Sequence, residues 1–192
     1  MRTAAIALLL AGCAGLPGAP TNPSLVSSWG TLKAEHYVRL DVKLPDGKEL
    51  HREMRGVIAI ERPDKFRLRA LGPGGLLLFD IICRGTYVKV IEAIRDPEQG
   101  VFGKILRSLA SDLQAAYDLE PTPKDRTRSI AEGALLVEDP ERTVRLTDFH
   151  NEHGQAIFYR ADITNRQLGY HIELDVNKAE IDPTLDPKMF QP

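Results

Sequence analysis

The chain has 192 residues, with 25 lysines and arginines against 27 aspartates and glutamates, so its formal net charge is -2. It lacks the strong basic excess of nucleic-acid-binding domains, and we expect no nucleic-acid partner. A hydrophobic content of 43% and a charged content of 27% are ordinary globular values, and the chain is long enough to form a real core.

The first residues form a recognisable targeting pattern. Arg2 precedes a short apolar run that ends in Leu10-Ala11-Gly12-Cys13. A basic start, an apolar segment and small residues before the cleavage point are typical of a bacterial secretory signal. The tetrapeptide resembles the lipobox of bacterial lipoproteins, which implies removal of residues 1–12 and lipidation of Cys13. We therefore expect a lipid anchor rather than a spanning helix; the alternative is a plain secretory signal with an incidental cysteine.

Residues 13–28 join the predicted lipidated cysteine to a segment of proline, glycine and small polar residues without periodicity. We interpret this segment as a flexible tether and residues 29–192 as one domain.

Ala14 follows the cysteine at the position where an aspartate would favour the inner membrane, so we expect the protein to lie at the periplasmic face of the outer membrane. Cys83 lies in an apolar run and is expected to be a buried thiol without a disulfide.

From Ala34 onwards, apolar and polar residues alternate with a period of two, which predicts antiparallel strands with one buried face. Strands are predicted near residues 36–44, 50–60, 66–70, 76–83 and 87–94, and again near 133–138, 143–149, 157–163 and 170–176. Between the two runs, a helical stripe spans residues 101–117; we place its firm start near Lys104, because Gly100 and Gly103 weaken the first turn. The tail Asp182–Pro192 predicts irregular structure or a final edge. This order indicates an α+β domain of about nine to eleven strands.

Several segments resemble the LolA/LolB superfamily. Arg55–Ile60 resembles an early strand of LolB proteins, and Asp64–Arg69 resembles the charged strand that follows it. Gly72–Gly75 falls at a short loop of those proteins, and the ending Asp182–Phe190 is also similar to LolB-like lipoproteins. The resemblance implies a half-open, curved antiparallel β-barrel with a helical lid.

The resemblance also implies a function. LolA carries lipoproteins through the periplasm with their acyl chains in an apolar cavity, and LolB accepts them at the outer membrane. This chain would then bind acyl chains and accept or transfer lipoproteins or lipids, as a monomer without a cofactor, with a periplasmic carrier protein as partner. The inward stripes supply the cavity candidates, although a dry, filled core fits them equally: Val38, Leu40, Ile58, Ile60, Phe66, Leu68, Val88, Val90, Ile157, Tyr159 and Ile172. A lipid cavity predicts that Leu68→Glu abolishes acyl-chain binding.

LolB proteins carry an exposed leucine in the loop that corresponds to residues 72–75. Alignment through Pro73 puts Gly74 at that position, so Leu76 and Leu77 become the candidates for membrane contact.

The sequence contains little that supports catalysis or metal binding. No phosphate-binding loop or nucleophile elbow occurs, so we expect no enzyme. His150 and His153, with Glu152, have a spacing compatible with zinc, but two ligands in a turn are not a site, and we expect no metal. Asp80, inside an apolar strand, is interpreted as an outward residue at a strand edge rather than a cavity carboxylate.

The sequence is compatible with two alternatives for its basic residues and two for its function. Lys65, Arg67, Arg69 and Arg84 form either an ordinary solvated face or a basic patch for anionic lipid. The domain is either a lipid acceptor or a structural lipoprotein that docks a protein partner without lipid cargo. An exposed apolar mouth beside the Gly72 loop favours the first function, and a closed core with an apolar outer patch favours the second.

Overall fold

A computed structural model describes residues 29–44, 46–93, 101–117, 127–131, 133–152 and 155–191. Cys13, the tether and His153 lie outside this part of the chain. The elements in chain order are β1 (Thr31–Lys43), β2 (Glu49–Glu61), β3 (Lys65–Leu71), β4 (Leu77–Arg84), β5 (Tyr87–Ala93), α1 (Val101–Ala116), β6 (Thr127–Ala131), β7 (Ala134–Glu138), β8 (Arg142–Glu152), β9 (Gln155–Asn165) and β10 (Tyr170–Ile181). Two short 3-10 turns occupy Pro73–Gly75 and Pro187–Phe190.

The described strands form one ten-stranded antiparallel sheet in the order β5-β4-β3-β2-β1-β10-β9-β8-β7-β6. Each run of strands is a meander of hairpins, and the pairing of β1 with β10 joins the two runs into one sheet. In the described structure β5 and β6 are the two edges and do not pair with each other, so the sheet is open.

The alternating pattern predicts β1 and β2 well. Val38, Leu40 and Val42 are buried, while the residues between them are exposed or half-buried. β2 pairs with β1 along its whole length and carries Ile58 and Ile60 on the same buried face. A strand that alternates in this way has one face on the core and one towards solvent.

Helix α1 lies across the concave side of the sheet. Its buried stripe includes Ile105, Leu106, Leu109 and Leu113, which recur at helical spacing. The helix contacts β4 and β5 near one edge and β8 nearer the other, so the sheet curves around it. α1 begins at Val101, before the predicted start at Lys104. In the described residues, no helix is long and apolar enough to cross a bilayer.

Two sequence expectations for the second run of strands need correction. β6 was not predicted, because Thr127–Ala131 is a short, largely polar edge strand with little alternation. With Ile157 and Tyr159 as inward residues, a period of two places Phe158 on the outer face, but Phe158 is buried and packs against Tyr117, with 4.9 Å between the ring centroids. On the paired strand β8, Asp148 has a left-handed backbone with φ of 54°, which interrupts the regular alternation of faces beside Phe158.

The C-terminal tail is ordered against the outer face of the sheet. The Asp186 side chain accepts a hydrogen bond from the Lys188 N–H and caps the final 3-10 turn. This turn contacts β3 and buries Phe190. The tail is therefore neither irregular throughout nor an added strand.

Candidate functional site

An apolar pocket of about 420 Å³ lies at the end of the sheet where α1 begins. This volume is within the range of roughly 300–1,000 Å³ that is typical of small-molecule pockets. The lining comes from four elements, β1 and the turn after it, β2, β4 and the first turn of α1: Leu40, Leu44, Leu50, Arg52, Met54, Leu78, Phe79 and Phe102.

Local strand geometry explains why these side chains converge. Leu50, Arg52 and Met54 are two residues apart on β2, so they share one face of the strand. On β4, a register shift pairs Ala70 with Phe79 and Leu71 with Leu77, which leaves Leu78 as an extra residue. Such a bulge changes the direction of neighbouring side chains, and here both Leu78 and Phe79 line the pocket.

The glycine loop lies beside this pocket. Gly74 and Gly75 have φ of 70° and 79°, a backbone region that strongly favours glycine. At Gly72, a Cβ atom would lie 3.1 Å from Leu78 Cδ2, so the missing side chain lets Leu78 approach the loop. Leu76, which follows the glycines, has 59% of its surface exposed, whereas Leu77 is half-buried.

The predicted cavity residues divide into two groups. Leu40 lines the pocket. The others belong to the interior, where Val88, Val90 and Tyr159 are partly buried and the rest are buried in the packed core: Val38, Ile58, Ile60, Phe66, Leu68, Ile157 and Ile172. Because α1 fills the space above most of the sheet, open space remains at its N-terminal end. Leu68→Glu would therefore disrupt folding, which makes it an unsuitable test of lipid binding.

Sequence reasoning missed most of the pocket lining. Leu50 and Met54 are in step with the inward Ile58 and Ile60 at a period of two, and this signal could have identified both. Arg52 interrupts that apolar series and so carried no apolar signal. Phe102 and Leu78 depend on the position of α1 and on the β4 bulge, which no local pattern predicts.

The opposite end of α1 is closed by a buried aromatic and polar cluster. The hydroxyl of Tyr117, the residue after α1, lies 3.0 Å from His36 Nε2, and Arg62 Nη2 donates to the Tyr117 carbonyl at 2.6 Å. The Arg62 guanidinium also lies 4.4 Å from the centroid of the Trp29 ring. Burial lowers the pKa of His36 to about 4 and raises that of Tyr117, so both side chains are uncharged at neutral pH.

A second polar cluster fastens the middle of α1 to the sheet. The Tyr170 hydroxyl donates to Asp112 Oδ2 at 2.6 Å and lies 3.0 Å from Ser108 Oγ. Asn165 Nδ2 donates to Ser108 Oγ at 2.9 Å. Burial and the Asp112 carboxylate raise the pKa of Tyr170, which keeps its hydroxyl protonated as a donor.

The basic residues on the outer face are largely engaged within the protein. Arg67 makes two hydrogen bonds to Asp80, Nε to Oδ1 at 2.8 Å and Nη2 to Oδ2 at 2.5 Å. Arg69 Nε is 3.4 Å from the same carboxylate, Lys65 pairs with Glu61, and Arg84 donates to the Phe190 carbonyl.

These contacts also locate Asp80. Its side chain meets the outer-face arginines as predicted, but β4 is not an edge strand, and Asp80 is only 3% exposed. Arg67 also donates to the Met189 carbonyl, so the C-terminal turn helps to cover the ion pair. Because these arginines already pair with Asp80, the outer face is a weaker candidate for binding anionic lipid than its arginine content suggests.

Metal-binding groups are sparse in the described structure. Asp162, His171 and Glu173 place potential ligand atoms within 4.8 Å of one another. Glu173 also pairs with Arg39 at 2.8 Å, so this carboxylate already has a cationic partner. His150 Nε2 lies 3.0 Å from Asp148. The His150 ring stacks on Tyr159 rather than joining this group.

Comparison with known proteins supports the fold. No family model and no curated protein matches the chain. A crystal structure of a LolA superfamily protein from Nitrosomonas europaea is similar with a TM-score of 0.51 and 12% identity, over 88% of this chain and 93% of that one. A putative outer membrane lipoprotein-sorting protein domain from Vibrio parahaemolyticus matches with a TM-score of 0.48 and 12% identity, over 88% of this chain and 92% of that one. At these identities the likeness is one of fold, and the predicted LolA-like fold, an open curved antiparallel sheet with a helix across it, is confirmed.

Proposed function

We propose that this protein is a lipid-anchored lipoprotein that holds an acyl chain in the pocket at the N-terminal end of α1. It accepts or transfers lipids or lipoproteins at the periplasmic face of the outer membrane, acts as a carrier rather than an enzyme, and receives cargo from a periplasmic carrier protein. The observation that carries this proposal is the apolar pocket of about 420 Å³ beside the exposed Leu76. The LolA-like fold supports it.

The pocket has the properties that a transient acyl-chain site requires. Each buried methylene contributes about 0.8 kcal/mol whether the chain lies in a protein pocket or in a bilayer, so transfer between the two is nearly balanced. A pocket at the edge of the core, rather than in its centre, exchanges its ligand without unpacking the domain. Leu76 lies two residues before the pocket residue Leu78, and an exposed leucine in this loop can enter the bilayer surface during transfer.

Acyl-chain uptake by the full chain carrying Cys13→Ser tests the binding step. We expect a fluorescent fatty acid to bind near one to one and Leu78→Glu to weaken binding at least tenfold, because a carboxylate in an apolar lining loses hydration. Ile91→Glu, on the exposed side of β5, is the control and should bind normally. Absence of uptake by a folded protein would contradict the proposal.

The anchor is tested separately. Cells that express the full chain should incorporate labelled palmitate into it, and Cys13→Ser should abolish that labelling. Outer-membrane fractions should contain the wild-type protein. Labelling that persists in Cys13→Ser would show that another residue carries the lipid.

A second function, docking of a protein partner, is favoured by the β5 edge. Tyr87 and Ile91 are 60% and 39% exposed on this edge strand. An edge strand with exposed apolar side chains can pair with a strand of another chain. A photocrosslinking residue at Tyr87 that captures one defined protein in cells, together with absent acyl uptake, would favour docking over lipid transfer.

A further inference from the structure

Among the described residues that line the pocket, Arg52 is the charged one. It lies on the same face of β2 as Leu50 and Met54 and directly opposite Leu40 on β1. A guanidinium has therefore been placed among apolar side chains, at the mouth of the pocket where its head still reaches water. Because Arg52 is exposed, its guanidinium stays hydrated without an acidic partner, and the anionic head of a ligand that enters the pocket mouth can pair with it.

Two carboxylates adjacent to Arg52 in the strand register, Glu53 on β2 and Asp41 on β1, have other partners. Glu53 accepts from the Tyr37 hydroxyl at 2.5 Å, and Asp41 lies 2.5 Å from His51 Nδ1. Arg52 itself donates from Nη1 to the carbonyl of the adjacent His51 at 2.9 Å. Within the described residues, Arg52 has no ion pair with a carboxylate, so its remaining donors are available to a ligand.

We propose that the pocket selects a single-chain amphiphile whose head group carries anionic oxygens, a carboxylate or a phosphate. The acyl chain lies against Leu40, Met54 and Phe79, and the head group pairs with Arg52 at the mouth. The planar guanidinium suits this role, since it can give two parallel hydrogen bonds to either anion. This inference rests on the proposed function and names the chemical class of its ligand.

The test uses the full chain carrying Cys13→Ser and three probes with the same alkyl chain: tetradecanoate, tetradecyl phosphate and the uncharged tetradecanol. Their affinities are measured by displacement of a fluorescent fatty acid. We expect at least one anionic probe to bind about tenfold or more tightly than the alcohol. Arg52→Gln should remove that preference, so that the anionic probes and the alcohol bind with similar affinity, and Arg52→Lys should retain part of it.

Arg55→Gln is the matched control, because Arg55 is an exposed arginine on the opposite face of the same strand. It should leave all three affinities unchanged, and circular dichroism should show each variant folded. Comparison of tetradecanoate with tetradecyl phosphate identifies which anion is preferred.

The possible failures are distinguishable. Equal binding of all three probes to the wild-type pocket would overturn the anion preference while leaving the proposed function intact. An anion preference that survives in Arg52→Gln would overturn the role of this arginine. If no probe binds, the acyl-chain function itself fails, and the inference fails with it.

Discussion

His36 on β1 and Tyr117 at the end of α1 are joined by a buried contact of 3.0 Å between the imidazole Nε2 and the phenolic oxygen. This contact fixes the C-terminal end of the helix at the closed end of the concave face. Phe102, in the first turn of the same helix, lines the open pocket. One helix thus has one end held in the core and the other end at the candidate ligand site.

Burial of His36 predicts a loss of stability in acid. Its pKa falls from 6.5 to about 4 on folding, so between these pH values the unfolded chain binds a proton that the folded protein does not. The free energy of unfolding therefore has its full value above pH 6.5. It decreases by about 3 kcal/mol in total as the pH falls towards 4. The test is chemical unfolding of the wild type and of His36→Gln across this pH range. The wild type should lose stability in acid relative to His36→Gln, so that the difference between their unfolding free energies changes by about that amount.

His51 provides the contrast for this experiment. It is exposed, and the hydrogen bond that its ring donates to the Asp41 carboxylate raises its pKa, so any stabilisation is present in acid and is lost as the pH rises. His51→Gln should therefore retain the acid-dependent loss of the wild type. Parallel pH profiles for the wild type and His36→Gln would show that His36 is not responsible.

The Arg67–Asp80 pair predicts a large effect on the outer face. Asp80→Asn leaves the guanidinium without its buried counter-charge, and we expect a loss of about 3 kcal/mol in the free energy of unfolding by urea. Asp175→Asn removes an exposed partner of Arg39 and should cost less than about 1 kcal/mol. Similar small losses in both variants would contradict the importance of the buried pair.

The hydrogen bond from Tyr170 on the sheet to Asp112 on α1 should restrain the motion of the helix. Tyr170→Phe removes the hydroxyl donor to the buried Asp112, which we expect to cost about 1–3 kcal/mol. Hydrogen exchange of the α1 amides should become faster, since the helix loses one of its polar attachments. Tyr87→Phe, at an exposed position, is the control and should leave α1 exchange unchanged. Unchanged exchange in Tyr170→Phe would show that this attachment does not restrain the helix.

A substitution at Leu76 should change the rate of transfer to membranes without changing the affinity for the probe. Leu76→Ser changes an exposed side chain, so stability should stay within about 0.5 kcal/mol and probe binding in solution should be unaffected. Transfer of the bound probe to lipid vesicles should slow several-fold, because the apolar contact with the bilayer is weakened. Ile130→Ser, at another exposed apolar position on β6, should transfer the probe at the wild-type rate. Equal rates for Leu76→Ser and the wild type would remove the loop from the mechanism.

Local sequence patterns predicted much of the fold for a definite reason. The face on which a strand buries its side chains depends on alternation, and Val38, Leu40 and Val42 follow it without interruption. The same rule failed at Phe158, beside the left-handed Asp148 on the paired strand, because alternation assumes regular extended backbone. The rule therefore holds on β1 and fails at Phe158 because the backbone geometry differs, and not because the residue types differ.

The amino-acid sequence by itself determined the strand pattern, the inward faces of β1 and β2, and the helical stripe of α1. Only the tertiary structure decided that Leu68 is packed core while Leu40 lines a pocket, although both face inwards. The physical reason is that an inward side chain becomes core or cavity according to what stands opposite it. The position of α1 depends on contacts between residues far apart in the chain, such as Tyr117 with His36 and Asp112 with Tyr170.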